Sequence, residues 1–256
     1  MNIQVLGAHN CESQNTKCIS LLIDDIIAID AGALTSSLSF KAMRKLKAVL
    51  LTHQHYDHIK DIPTLGMNLY LQRAKVDVYC ISSVYEAVIT HLLNGQVYPK
   101  FHEKPEGNPV FNFHIMEPHQ TVQIEGYSVL AVPLIHSVPV VGCQITSPDG
   151  KVVMYTGDVG PGLAPCWEKA PPQLLIIEVT ASNRFEAFGR ESMHLTPSLL
   201  KEELLAFREL KGYLPRVVAV HMSPFVEREI EPELSALAAE LNTSITMARE
   251  GMQLSL

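Results

Sequence analysis

The chain has 256 residues, 47% of them hydrophobic, a formal net charge of −7 and five cysteines. That length and apolar content suit one sizeable domain, and the acidic balance argues against a general nucleic-acid binder, which carries a basic field. Cys11, Cys18, Cys80, Cys143 and Cys166 are odd in number with no Cys-x-x-Cys, so they are expected to be reduced thiols of a cytoplasmic protein. The N-terminus lacks a signal-peptide pattern, and no apolar run approaches about 18 residues, so no membrane span is expected.

In chain order, Ile3, Val5 and Leu6 predict a first strand ending at Gly7, and Ala8 to Lys17 reads as loop. Cys18–Ile23 and Ile26–Ile29 predict a hairpin around Asp24-Asp25. Asp30-Ala31-Gly32 follows; on its own Asp30 reads as a turn or cap acid. Leu38, Ala42, Met43 and Leu46 recur at helical spacing over Ser37 to Leu46, with Lys41, Arg44, Lys45 and Lys47 as a solvated face. Val49 to Leu51 predicts a short buried strand. It leads into Thr52-His53-Gln54-His55-Tyr56-Asp57-His58, after which Ile59, Ile62, Leu65 and Leu69 recur at helical spacing.

Four groups able to bind a metal therefore fall within six positions on a strand-to-helix turn. On an extended segment His53, His55 and Asp57 point one way and His58 another, the split that two adjacent ions require. Neutral imidazoles suit zinc, manganese or iron, and Asp57 can serve one ion and steer a water. A solvated, His-rich turn is the plain alternative, and this spacing after a buried strand argues against it.

Val76–Ile81 predicts a strand and Val84–Leu93 a helix. Residues 94–120 are interrupted by Gly95, Pro99, Pro105, Gly107, Pro109 and Pro118. They are expected to be irregular, too long for a plain connector, and to serve as a cap or as the contact of a homodimer. His91, His102, His114 and His119 read as ordinary histidines. Val129–Leu134 predicts a strand leading to His136. Val140–Ile145 and Lys151–Tyr155 form a hairpin around Ser147-Pro148-Asp149-Gly150, ending at Tyr155-Thr156-Gly157-Asp158. Leu174–Ile177 enters Glu178 and Val217–Val220 enters His221, each a functional side chain at a strand's carboxyl end. Pro197 to Leu210 predicts a helix capped by Thr196, Glu233 to Leu241 another, with a short strand near Ile245. The order suggests two similar halves with no linker between them, hence one domain over 1–256.

The Thr52–His58 segment resembles the signature of the metallo-β-lactamase superfamily, and the resemblance continues in motif order from Asp30 to His221. It implies an α/β fold, the four-layer αβ/βα sandwich, with two divalent metal ions, zinc first and manganese or iron as alternatives. By the same resemblance His53, His55 and His136 hold one ion, Asp57, His58 and His221 the other, Asp158 bridges them, and Asp30 supports the ligand loop. Glu178, followed at a distance by His194-Leu195-Thr196-Pro197, resembles the class II cyclic-nucleotide phosphodiesterases and, more loosely, the Glu…His-x-Thr segment of ribonuclease Z. That implies His194 as general acid oriented by Glu178, with Asp57 orienting the attacking water. The implied reaction is hydrolysis of a 3′,5′-cyclic nucleotide, cyclic-AMP-like, to the monophosphate through a metal-bridging hydroxide.

The alternatives are a ribonuclease Z-like RNA phosphodiesterase, an ester or thioester hydrolase on the same fold, and a non-catalytic metal-bound nucleotide sensor. Lys100 and Lys104 are the only strong bases in 94–120. A small anionic phosphodiester is therefore expected rather than a nucleic acid, which is gripped through several phosphates. The chain departs from the pattern at Tyr56, at Ile59-Lys60-Asp61-Ile62-Pro63, and at His221-Met222-Ser223-Pro224, where the class II enzymes carry a lysine-bearing version.

Overall fold

The computed structural model describes every residue from Met1 to Leu256. It divides into two compact units, one of Met1–Gly7, Lys17–Glu117 and Glu250–Ser255, the other chiefly of Ala8–Thr16 and Pro118–Arg249.

The first unit is built on a seven-stranded sheet. Its strands are β1 (Asn2–Gly7), β2 (Ser20–Ile23), β3 (Ile27–Ile29), β4 (Ala48–Leu50), β5 (Val76–Cys80), β6 (Phe111–Ile115) and a C-terminal strand, Gln253–Ser255, that pairs with β1. β1, β2 and β3 are antiparallel, whereas β3 through β6 are parallel. β2, β3 and β4 are buried at every position, which is why they read as unbroken apolar runs rather than alternating ones. The hairpin between β2 and β3 turns at Asp24 and Asp25, with φ of 44° and 63°, the left-handed pair a two-residue turn needs and aspartate tolerates. Leu34, Leu46, Val49, Leu51, Leu65 and Val78 belong to the core that covers this sheet.

Two expectations fail here. Ser37 to Leu46 is not one helix but two single turns, Leu34–Ser37 and Phe40–Met43, separated by an extended Leu38. Ser39 stops propagation between them by capping the second turn, its Oγ accepting the Ala42 N–H at 3.2 Å. Residues 94–120 are also not irregular throughout, because β6 lies within them and pairs parallel with β5. As an edge strand it fully buries only Phe111, so its alternation is faint beside the surrounding prolines and glycines.

The second unit has its own seven-stranded sheet. Its strands are β7 (Thr121–Ile124), β8 (Tyr127–Leu134), β9 (Val140–Thr146), β10 (Val152–Tyr155), β11 (Leu174–Glu178), β12 (Arg216–Val220) and β13 (Ile245–Met247), adjacent in that order. β7 to β10 are antiparallel and β10 to β13 parallel. The succession along β1–β6, two antiparallel pairings then three parallel ones, thus recurs along β8–β13.

Thr196 caps the helix Pro197–Lys211, accepting the Leu199 N–H at 3.4 Å. From that helix the buried Glu203 accepts the N–H groups of Gly162 and Leu163 at 2.7 and 2.8 Å. The last helix, Glu227–Leu241, starts well before the expected Glu233 and runs through Pro232. Ile230, Leu234, Leu237 and Leu241 keep the buried period across the proline, and Glu227 and Glu229 in the first turn suit the helix dipole.

All five cysteines are thiols and four are buried. Burial pushes Cys80 and Cys166 up to about 12. No helix is long and apolar enough to cross a membrane.

Candidate active site

In the first unit, the chain leaves β4 and stays extended through His55, which is the N-cap residue of the short helix Tyr56–Ile59. Asp57 and His58 therefore sit in a helical turn. The expected alternation holds as far as His55 and is replaced by helical geometry at Asp57. The rings of His53 and His55 are 4.7 Å apart, those of His53 and His58 4.0 Å, and His58 Nε2 lies 3.5 Å from Asp57 Oδ2. His53 and His58 are fully buried.

Asp30, also fully buried, organises this cluster from the end of β3. It accepts the Thr52 N–H at 2.9 Å, the Thr52 hydroxyl at 3.0 Å and His58 Nδ1 at 2.7 Å. His53 Nδ1 is 3.0 Å from the same hydroxyl. The Asp30-Ala31-Gly32 loop also braces the Tyr56–Ile59 helix through backbone bonds from Ala31 to His58 and from Asp61 to Ala31. Gly32 is required by that brace: a Cβ there would come within 2.2 Å of the Asp57 carbonyl oxygen.

In the second unit, Asp158 follows β10 and is almost fully buried. Its two oxygens face different imidazoles, Oδ2 at 3.8 Å from His136 Nε2 and Oδ1 at 3.3 Å from His221 Nε2. A carboxylate shared in this way suits a bridge between two cations. His136 Nδ1 donates to the Met193 carbonyl at 3.0 Å. Burial pulls the His136 imidazole below its ordinary value, against Asp158 and the Met193 carbonyl, which push it up.

Glu178, with no exposure at all, accepts His194 Nδ1 at 2.7 Å and the N–H groups of Val159 and Thr180 at 3.1 Å and of Leu195 at 3.2 Å. The Thr180 hydroxyl donates to it at 2.8 Å and lies 2.9 Å from His221 Nδ1. The His194 ring stacks on that of His221 at 5.7 Å and meets that of His136 edge-on at 5.0 Å.

These observations fit the donor chemistry of a metal centre. His53, His58, His136 and His221 each meet an oxygen at Nδ1. For His58 and His136 that oxygen can only accept, so Nδ1 carries the proton and the neutral ring has its lone pair on Nε2, as a metal ligand requires. Within the units, ligand-type atoms of His53 and His55, of Asp57 and His58, and of Asp158 with each of His136 and His221 lie within 4.8 Å of one another. Three residues here also have left-handed backbones, Asp30 (φ 55°), Met193 (φ 60°) and His221 (φ 63°). Sequence reasoning left Thr52, Thr180 and the Met193 carbonyl unassigned. The signal for Thr180 was its place two residues beyond a strand-end carboxylate.

The sequence matches a family described as the beta-lactamase superfamily domain over residues 22–222. No curated protein matches the chain by sequence. Among solved structures, unliganded yeast PDE1 is similar with a TM-score of 0.85 at 17% identity, covering 100% of this chain and 99% of that one. YhfI, a metallo-beta-lactamase fold protein from Bacillus subtilis, gives 0.78 at 20% identity over 99% and 98%. The short form of human tRNase Z (ELAC1) gives 0.74 at 18% identity over 100% and 99%. At these identities the structural likeness shows the fold alone. With the family match covering most of the chain and a His/Asp cluster fit to bind metal, the chain belongs to the metallo-β-lactamase superfamily and has its αβ/βα hydrolase fold.

Proposed function

We propose that the protein is a phosphodiesterase that opens a 3′,5′-cyclic nucleotide to the nucleoside monophosphate. The observation that carries this reading is the Glu178–His194 pair, 2.7 Å apart, with the carboxylate fully buried and the imidazole ring packed against His136 and His221. Opening such a ring expels a sugar alkoxide, a poor leaving group that needs a proton in the transition state. Every partner of Glu178 named above is a donor. His194 therefore gives Nδ1–H to the carboxylate, and Nε2 would carry the proton delivered to the leaving oxygen. An acyl-transfer hydrolase has less use for such an acid.

His53, His55 and His136 would hold one divalent ion, Asp57, His58 and His221 a second, with Asp158 between them. When bound, such ions lower the pKa of water and neutralise charge on a phosphoryl group. Zinc fits the imidazole-rich set, and manganese or iron would also be accepted. Asp57, on the first helical turn beside His58, would orient the attacking water and take its proton. The likeness to yeast PDE1 supports this reading. The likeness to human tRNase Z supports a second one, cleavage of RNA. In the 94–110 loop, however, Lys100 and Lys104 are matched by Glu103 and Glu106, so the loop offers no net positive charge to a polyanion.

The test compares two substrates. His194→Ala is expected to lower turnover of cyclic AMP by about 100-fold or more, while a p-nitrophenyl phosphodiester, whose leaving group needs no proton, changes by less than about tenfold. Equal losses on both substrates would remove the acid role. Turnover of precursor tRNA but not of cyclic AMP would replace the cyclic-nucleotide reading with the nuclease.

A further inference from the structure

We propose that Thr52 and Thr180 are positioning residues. Each is a hydroxyl relay through which a buried carboxylate dictates the tautomer of a metal-ligand histidine. The inference rests on the ligand assignment above, and it adds two residues that assignment does not contain.

The same four-part arrangement occurs once in each unit. In the first, Asp30 accepts both the N–H and the hydroxyl of Thr52, at 2.9 and 3.0 Å, and His53 Nδ1 lies 3.0 Å from that hydroxyl. In the second, Glu178 accepts both the N–H and the hydroxyl of Thr180, at 3.1 and 2.8 Å, and His221 Nδ1 lies 2.9 Å from that hydroxyl. Each carboxylate also takes a second imidazole directly at Nδ1, His58 in one case and His194 in the other, both at 2.7 Å.

The logic follows from proton counting. A threonine hydroxyl has one proton and two lone pairs. The carboxylate only accepts, so the proton points to it, and the lone pairs turn to the imidazole. The histidine must then present Nδ1–H, and its neutral form carries the lone pair on Nε2. Protonation at Nε2 instead would leave two lone pairs facing each other in a buried site, and no metal-ligating nitrogen.

Chain topology alone does not account for the recurrence. Asp30 follows the third strand of its sheet, whereas Glu178 ends β11, the counterpart of the fourth. His53 follows β4, whereas His221 follows β12, the counterpart of β5. The arrangement is reached from different strands, which points to a requirement of the histidines it serves.

The test is zinc affinity, by chelator competition on purified full-length protein, for wild type, Thr180→Val, Thr180→Ser, Thr52→Val and Thr52→Ser, with His221→Ala as reference. Each valine variant is expected to lose about ten- to a hundredfold in affinity, the usual loss for a partner of a ligating histidine, and each serine variant to stay within a few-fold of wild type. Valine variants that bind zinc like wild type, or serine variants as weak as valine, would overturn the relay while leaving the ligand assignment intact. A wild type that binds no zinc, manganese or iron would instead overturn the ligand assignment, and the relay with it. Should the valine variants not fold, nitrogen-15 spectra of the zinc-loaded wild type decide: Nδ1 of His53 and His221 must carry the proton, and a proton on Nε2 of either refutes the proposal.

Discussion

At the scale of single residues, the site depends on close approach as much as on ligands. Gly32 shows this, because it has no side chain to ligate with yet leaves room for the carbonyl of Asp57. Gly32→Ala must push the Asp30 loop and the Tyr56–Ile59 helix apart. Overpacking of this kind costs about 1–3 kcal/mol. The expected outcome is a chain that still folds, with a lower denaturation midpoint and weakened zinc binding, read by chemical denaturation and chelator competition. Unchanged zinc binding would show that the loop does not set the position of Asp57.

The residues legible in the sequence were those with rare chemistry at short range. His53, His55, Asp57 and His58 could be read together because four residues of ligand type crowd six positions after a buried strand. Glu178 and His221 were legible from their places at strand ends, and His194 only through the resemblance carried by its His-Leu-Thr-Pro segment. Thr52 and Thr180 were not, since threonine is common and its role here exists only once a carboxylate and an imidazole are folded around it.

At the scale of elements, strands carrying unbroken apolar runs were legible and short helices were not. Burial writes its period into a sequence only when an element is long enough to show one. Leu34–Ser37 and Phe40–Met43 are one turn each, and the apolar spacing they share is equally consistent with a single helix. Longer elements act at a distance from their own sequence. The helix Pro197–Lys211 begins three residues after His194, and through Glu203 it also fixes the loop after Asp158. In that loop Val159 donates to Glu178 at 3.1 Å, and Gly160 donates to the Ile135 carbonyl, beside His136, at 2.7 Å. Glu203→Ala leaves the Gly162 and Leu163 N–H groups without their buried acceptor, a loss of about 2–3 kcal/mol. The expected readouts are a matching fall in unfolding free energy and faster amide exchange at residues 159–163. Exchange there unchanged from wild type would mean that the helix does not hold this loop.

At the scale of the whole molecule, two sheets repeat one pairing scheme, and the sequence announced this only as a rhythm of strands and helices. The repeat assigns different tasks to corresponding places. β3 leads to Asp30 and its counterpart β10 leads to Asp158, a brace for histidines in the first case and, as proposed, a bridge between ions in the second. The left-handed backbones of Asp30, Met193 and His221 belong to the same economy. A side chain with a Cβ in that conformation is less stable than glycine by about 1 kcal/mol. In metal-free protein, His221→Gly is therefore expected to melt above His221→Ala, and scanning calorimetry of the two would refute this if the order were reversed. At Asp30 and His221 the strain is offset by the hydrogen bonds their side chains make, to Thr52 and His58 in one case and to Thr180 in the other. A histidine at position 221 therefore holds its place through its ring, and loss of the ring leaves the left-handed backbone uncompensated.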